Sequence, residues 1–319
     1  MRFVPTILAL TATASALSIQ KRESRTSPPE GCLAVGSDGD YSTVGDALDA
    51  LDSGAACIYI AAGTYNEQLT VTYTDGLTIY GETTDTTGYG QNTVTITNTL
   101  SSPDAGSLVD SATINIDASS VSMYNINVEN GYGEGAQAVA VAVSGDQNAF
   151  YGCQFLGYQD TLYAREGTQY YSKCYMEGAT DYIFGDASAW YGECDIVSVG
   201  AGYITAMSRE TDDDPSWYAF DHCTIQGGEG LDLSEAVYLG RPWRVFARVI
   251  YQNCELSDII NPKGWTEMAD NATPLYYEID NTGDGADTSE REYLSEIDAA
   301  VTQDTVLGSD WASWVDQDF

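Results

Sequence analysis

Phe150-Tyr151-Gly152-Cys153-Gln154-Phe155, Tyr171-Ser172-Lys173-Cys174-Tyr175-Met176, Tyr191-Gly192-Glu193-Cys194-Asp195-Ile196, Phe220-Asp221-His222-Cys223-Thr224-Ile225 and Tyr251-Gln252-Asn253-Cys254-Glu255-Leu256 are one frame written five times. An aromatic residue stands two or three positions before each cysteine and an apolar one two after it. The cysteines are spaced by 21, 20, 29 and 31 residues. Met123-Tyr124-Asn125-Ile126-Asn127-Val128 fits the frame with isoleucine in the cysteine slot, 27 residues before Cys153. A repeat of this period with strand-like alternation means stacked coils, each burying its inner face only against its neighbours. The expected fold is therefore all-β, a right-handed single-stranded parallel β-helix. The five frame cysteines are expected to be reduced core fillers, because a free cysteine packs as a small apolar side chain.

Outward from the frames, short runs rich in Val, Ile, Thr and Tyr predict strands at 77–80, 93–97, 138–143 and 236–239. Long helical patterns are missing from the middle of the chain. Thr43-Val44-Gly45-Asp46 resembles a capping box, with Val44, Leu48 and Leu51 at helical spacing. Tyr293/Leu294, Ile297 and Ala300/Val301 predict a second amphipathic helix. Short capping helices at the two ends are thus expected, since the open ends of a solenoid need covers.

At the N-terminus, Arg2 precedes an apolar stretch from Phe3 to Leu10, and Ala14-Ser15-Ala16 offers a small-x-small cleavage site. Residues 1–16 read as a secretory signal peptide and 17–22, ending in Lys21-Arg22, as a short propeptide. One domain then spans 23–319, and the protein is expected to be secreted and extracellular. The chain of 319 residues carries 12 Lys+Arg, 48 Asp+Glu and one histidine, a formal charge of −36. Loss of residues 1–22 leaves 9 basic against 48 acidic residues, a charge of −39. Such a surface excludes nucleic acid and anionic membranes as partners. One histidine excludes histidine-rich metal sites, and no G-x-S-x-G elbow exists to support a serine triad. Seven cysteines leave at least one thiol free; Cys32 and Cys57 flank the first helix and are a candidate pair. The sequon Asn271-Ala272-Thr273 is followed by Pro274, which weakens it as a glycosylation site.

The coil phase also locates chemistry. Asp160 lies 7 residues after Cys153 and Asp181 lies 7 after Cys174. Equivalent positions on adjacent coils stand about 4.8 Å apart, so two aspartates stack on one outer ridge. Arg241 lies 13 before Cys254, as Asp181 lies 13 before Cys194, which puts it on the same ridge two coils on. One carboxylate beside the arginine stays ionised, while the other, crowded and desolvated, holds a proton. A nucleophile or base beside an acid makes a hydrolytic pair without histidine. A solvated acidic face is the competing reading of the phase alone.

The segments around these residues carry a resemblance. Gly157-Tyr158-Gln159-Asp160-Thr161-Leu162-Tyr163, Asp181-Tyr182-Ile183-Phe184-Gly185, Tyr238-Leu239-Gly240-Arg241-Pro242-Trp243, Gln137-Ala138-Val139-Ala140 and Ala62-Gly63-Thr64-Tyr65-Asn66-Glu67 resemble the signature motifs of pectin methylesterases, in order and in spacing, from about Tyr41 to Trp311. The resemblance implies an aspartyl esterase that removes methyl groups from C6 methyl esters of galacturonate in pectin. It implies Asp181 as nucleophile and Asp160 as general acid and base. Gln137 and Gln159 would stabilise the oxyanion, Arg241 orient Asp181, and Trp243 wall the groove. Tyr182 departs from the phenylalanine of many members. Tyr158, Tyr163, Tyr182 and Met207 are candidates for the cleft lining, with core or ridge packing an equal reading for each. Arg209, in ridge phase, is a candidate contact for a galacturonate carboxylate. His222 reads as structural. Asp212-Asp213-Asp214 invites a calcium reading, but the family uses no metal or other cofactor and none is expected here. Methyl-esterified homogalacturonan is the expected partner, and a monomer the expected state. A polygalacturonase or pectate lyase on a similar solenoid, and a non-catalytic polysaccharide-binding solenoid, are the rival readings.

Overall fold

The computed structural model describes residues 23–54 and 56–319; the leader and propeptide readings of residues 1–22 lie outside them. Ten parallel strands form one wall: Leu33–Val35, Ala56–Ile60, Leu77–Gly81, Val121–Tyr124, Asn148–Tyr151, Thr168–Ser172, Ser188–Gly192, Tyr218–Asp221, Arg248–Gln252 and Leu275–Ile279. Thirteen further strands form the rest of each turn, and the two longest of them, Tyr175–Gly185 and Asp195–Met207, run through the corner between its faces. Every pairing between these strands is parallel, as Tyr171 with Tyr191 and Tyr191 with Phe220 illustrate. The chain is a parallel β-helix.

The five-fold frame is the corner of the coil. The residues before the frame slots, Asn125, Gly152, Lys173, Glu193, His222 and Asn253, all adopt left-handed φ between 49° and 55°. A single left-handed residue turns the strand sharply, a conformation tolerated singly but not in runs. Inside the corner, the aromatic partners stack as Phe150, Tyr171, Tyr191, Phe220 and Tyr251, with centroids 4.9, 4.8, 4.4 and 4.4 Å apart. Each thiol reaches back one coil: Cys174 donates to Phe150 O, Cys194 to Tyr171 O, Cys223 to Tyr191 O and Cys254 to Phe220 O. The slot thus suits a small apolar side chain that is also a weak donor. All five cysteines are free and buried, while Cys32 and Cys57 form a disulfide. His222 is one of the corner residues, with its exposed ring bonded to Asp221.

The helix Val44–Asp49 covers the N-terminal end. Thr43 Oγ1 accepts from Asp46 N, and the Glu67 carboxylate accepts from Val44 N and Gly45 N at 2.9 Å each. The C-terminal expectation needs correction. Residues 293–301 form no helix: the Gln252 side chain holds Val301 by two bonds, to its N–H (2.9 Å) and its C=O (3.0 Å), as a neighbouring strand would. The helix lies later, at Gln303–Leu307, followed by a 3₁₀ turn at Trp311–Ser313. Ile297, Val301, Val306, Leu307 and Trp314 cover Trp190, Ala219 and Ile250 on the outside of the first wall. The open C-terminal end is instead plugged where Tyr251 pairs with Glu278. That buried carboxylate accepts from Arg291 Nε (2.9 Å) and Trp265 Nε1 (3.0 Å). The predicted strand at 138–143 begins only at Val141, because Val139 N donates to Ser111 Oγ and Val139 O accepts from Asn130 Nδ2. Two short helices, Ser102–Ala105 and Leu108–Ser111, were not anticipated, although Ser101 and Ser107 each stand three before an aspartate whose N–H they cap. No helix among the described residues is long and apolar enough to cross a membrane.

Candidate active site

The expected stacking of the two aspartates is present. Gln159 bridges Thr180, and Leu162 pairs with Ile183, so Asp160 and Asp181 stand level on adjacent coils. Asp160 N donates to Thr180 O at 3.0 Å. Both aspartates have left-handed φ, 64° and 50°. A bulge aims the second one: Thr180 pairs with Tyr203 and Ile183 with Thr205, so three steps on one strand oppose two on the other. Bulges of this kind bend a strand and redirect side chains beside sites.

Arg241 comes from two coils on, as the cysteine phase suggests, but from a row farther along the strand than that of Asp181. Gly240 pairs with Thr205, which pairs with Ile183, so Arg241 leaves the wall beyond the row of Asp181 and reaches back. Its guanidinium grips Asp181 at two points, Nε to Oδ1 at 2.8 Å and Nη2 to Oδ2 at 2.6 Å. The planar fork matches both carboxylate oxygens. On its way it passes over the Tyr203 ring, 3.8 Å from the centroid.

Both carboxyls are nearly buried, at 7% exposure for Asp160 and 6% for Asp181. Burial pushes both upward in pKa. At Asp181 the Arg241 fork opposes that push. At Asp160 the charge of Asp181 adds to burial and Arg241 opposes less, so its carboxyl is pushed up to about 8. The pair therefore shares one proton near neutrality, held on Asp160, with the negative charge on Asp181 under the arginine.

A cleft of about 190 Å³ opens over the pair, lined by Gln137, Gln159, Asp160, Asp181, Phe184 and Trp243, with Ser102, Leu108, Ala206 and Met268 around them. Ser102 N donates to Gln137 O and Ala138 N to Gln159 O, which sets the two glutamines on successive coils at one side. Tyr163 stacks on Phe184 at 4.4 Å, and both lie near Trp243, so an aromatic strip flanks the carboxylates.

Other candidates fall elsewhere. Tyr182 is fully buried with its hydroxyl on Ser198 Oγ at 3.0 Å; the bulge turns it inward as it turns Asp181 out. Met207 is also fully buried, its sulfur accepting from Arg248 N. Arg209, 1% exposed, donates to the backbone carbonyls of Asp212, Asp214 and Phe246 and so shapes a loop without reaching the cleft. Tyr158 packs beside Gly200, where a Cβ would fall 2.9 Å from its hydroxyl. Phe184, Tyr203, Ser102, Leu108 and Met268 were missed. Phe184 follows the inward Ile183 and so faces outward, against Tyr163, a side that becomes readable only once the bulge after Thr180 is known. Tyr203 was legible only through the bulged register, and Met268 by no local signal. Among the described residues no group of three or more His, Cys, Asp or Glu is placed to hold a metal ion, Asp212-Asp213-Asp214 included.

Comparison with known proteins bears on the family and the fold. A family model described as Pectinesterase matches residues 32–316. Pectinesterase A of Emericella nidulans is 72% identical over 298 residues, covering 93% of this chain and 92% of that one. A probable pectinesterase A of Aspergillus niger is 66% identical over 318 residues, covering 98% and 97%. The crystal structure of the Aspergillus niger pectin methylesterase superposes with a TM-score of 0.92 at 67% identity, over 93% of this chain and all of that one. The carrot enzyme does so at 0.82 with 28% identity, over 90% and 97%. A mutant pectin methylesterase solved in complex with a hexasaccharide matches at 0.74 with 25% identity, over 86% and 96%. The chain belongs to the pectinesterase family.

Proposed function

We propose that this protein is a secreted carboxylic-ester hydrolase that removes methyl groups from the C6 esters of galacturonate units in pectin. The observation that carries the reading is the aspartate pair itself: one carboxylate gripped by Arg241 beside a second, buried carboxyl, at the floor of an aromatic-walled cleft. Family membership and the oligosaccharide bound to a related enzyme support pectin as the occupant of that cleft. The N-terminal leader pattern supports secretion.

In the proposed reaction the charged Asp181 oxygen attacks the ester carbonyl carbon, and the carbonyl oxygen becomes an oxyanion. The amides of Gln137 and Gln159 donate to that oxyanion. Asp160 gives its proton to the departing methoxide, so methanol leaves and an acyl–Asp181 anhydride remains. Asp160, now ionised, takes a proton from water as the hydroxide adds to the acyl carbon. Asp181 is released with its charge, and the galacturonate carboxyl and the protonated Asp160 complete the balance. A proton-holding Asp160 and an ionised Asp181 are the starting states that this sequence needs.

The test is product analysis on highly methylated homogalacturonan with the purified protein. Methanol release without new reducing ends or unsaturated uronate is expected. New reducing ends would mean a glycosidase, unsaturated product a lyase, and no product at all a binding solenoid.

A further inference from the structure

Arg241 can meet Asp181 only by crossing the coil that lies between them. At that crossing the wall presents Tyr203, which pairs with Thr180 on one side and Tyr238 on the other. The guanidinium carbon sits 3.8 Å from the Tyr203 centroid, the shortest arginine–ring approach found among the described residues. Tyr203 in turn stacks on Tyr238, 5.6 Å between centroids and 27° between planes. A guanidinium largely removed from water, as Arg241 is, gains more from a ring face than an exposed one does.

We propose that Tyr203 is a positioning residue of the esterase: its ring face, backed by Tyr238, holds the Arg241 fork flat and level with Asp181. The proposal rests on the reading of Asp181 as nucleophile. Its cause is geometric. Arg241 starts from a row beyond Asp181, so its side chain must reach back along the wall to meet the carboxylate. Without a support the fork keeps one contact and loses the two-point grip. The carboxylate is then free to rotate, and burial of Asp181 is opposed less. The charged group that faces the Asp181–Arg241 pair is Asp160, and the Tyr276 phenol, buried inside the solenoid, is raised by burial and by the charge of Asp181.

The test compares Tyr203→Phe, Tyr203→Met and Tyr203→Leu by kcat, KM and pH profile on methylated homogalacturonan. Tyr203→Phe keeps the ring face and should stay within about twofold of the parent in kcat. Tyr203→Leu and Tyr203→Met should lose about ten- to a hundredfold in kcat, as expected of a misaligned reacting group. Their KM should change little, and the acidic limb of kcat should move to higher pH. In an Arg241→Lys background, Tyr203→Leu should cost much less, because the fork it supports is gone. Circular dichroism identifies a misfolded variant, and the two apolar replacements of different shape guard against one such failure. Equal losses for Tyr203→Phe and Tyr203→Leu, a change confined to KM, or full additivity with Arg241→Lys would overturn the proposal. An active Asp181→Asn protein would overturn the underlying nucleophile reading instead.

Discussion

Asp160 and Asp181 pay twice for their positions, in backbone conformation and in lost hydration. Non-glycine residues with φ of 64° and 50° lie in a sparsely populated region, and such strain collects at functional sites. A buried carboxyl raised from 3.8 to about 8 also opposes folding over a defined range. The sign follows from linkage: a raised folded pKa contributes stability below the unfolded value of 3.8, and that contribution is lost as pH rises towards about 8. Asp160→Asn should therefore raise the melting temperature at pH 8 relative to the parent, with the difference shrinking as the pH approaches 4. Calorimetry across that range checks it, and an unchanged or lower melting temperature at pH 8 would contradict the protonated-acid picture. The aspartates were legible in the sequence because each keeps a fixed distance from a corner cysteine in coils of nearly equal length. The inward turn of Tyr182 was not, because the sense of a residue beside a bulge depends on the partner strand's register, and Arg209 lies past the end of its strand, where loop carbonyls hold it.

The stacked corner is the unit from which the solenoid is built. One left-handed residue turns the chain, an aromatic ring stacks on the ring of the coil before, and a thiol bonds back to that coil's carbonyl. All three features sit within six consecutive residues, which is why the architecture could be read without a structure. The C-terminal cover could not, since its shape follows from long-range partners. Gln252 draws residue 301 into an extended path that local helical spacing does not reveal. The end is sealed by Arg291 and Glu278, with side chains 1% and 2% exposed. Removing one partner of a buried pair costs about 3–5 kcal/mol, because the other charge is left unpaired. Arg291→Met should lose that much stability in urea unfolding, and adding Glu278→Leu should restore most of it. A loss under about 1 kcal/mol for Arg291→Met would show that the end is held by other contacts.

At the scale of the whole molecule, charge dominates. A chain at −36, or −39 after loss of residues 1–22, meets a polymer that gains negative charge with every ester removed. Polyanion repels polyanion over roughly a Debye length, about 10 Å at 0.1 M salt. Turnover at low ionic strength should therefore favour highly methylated pectin, and moderate salt should improve turnover on sparsely methylated pectin more than on the methylated form. Faster turnover of sparsely methylated pectin at low salt would contradict this. Such a preference belongs to no single residue; it was available from composition alone and needed no fold.

The central claim is that Asp181 attacks and Asp160 moves the proton, and an ester with a better leaving group than methoxide separates those roles most directly. Turnover of an activated galacturonate ester should be compared for Asp160→Asn and Asp181→Asn. General acid help is typically worth about 10²–10⁴-fold, and a leaving group that departs without a proton does not need it. The activated ester should partly restore Asp160→Asn and leave Asp181→Asn several orders of magnitude below the parent. Rescue of Asp181→Asn alone would exchange the two roles, and equal rescue of both would remove the covalent mechanism.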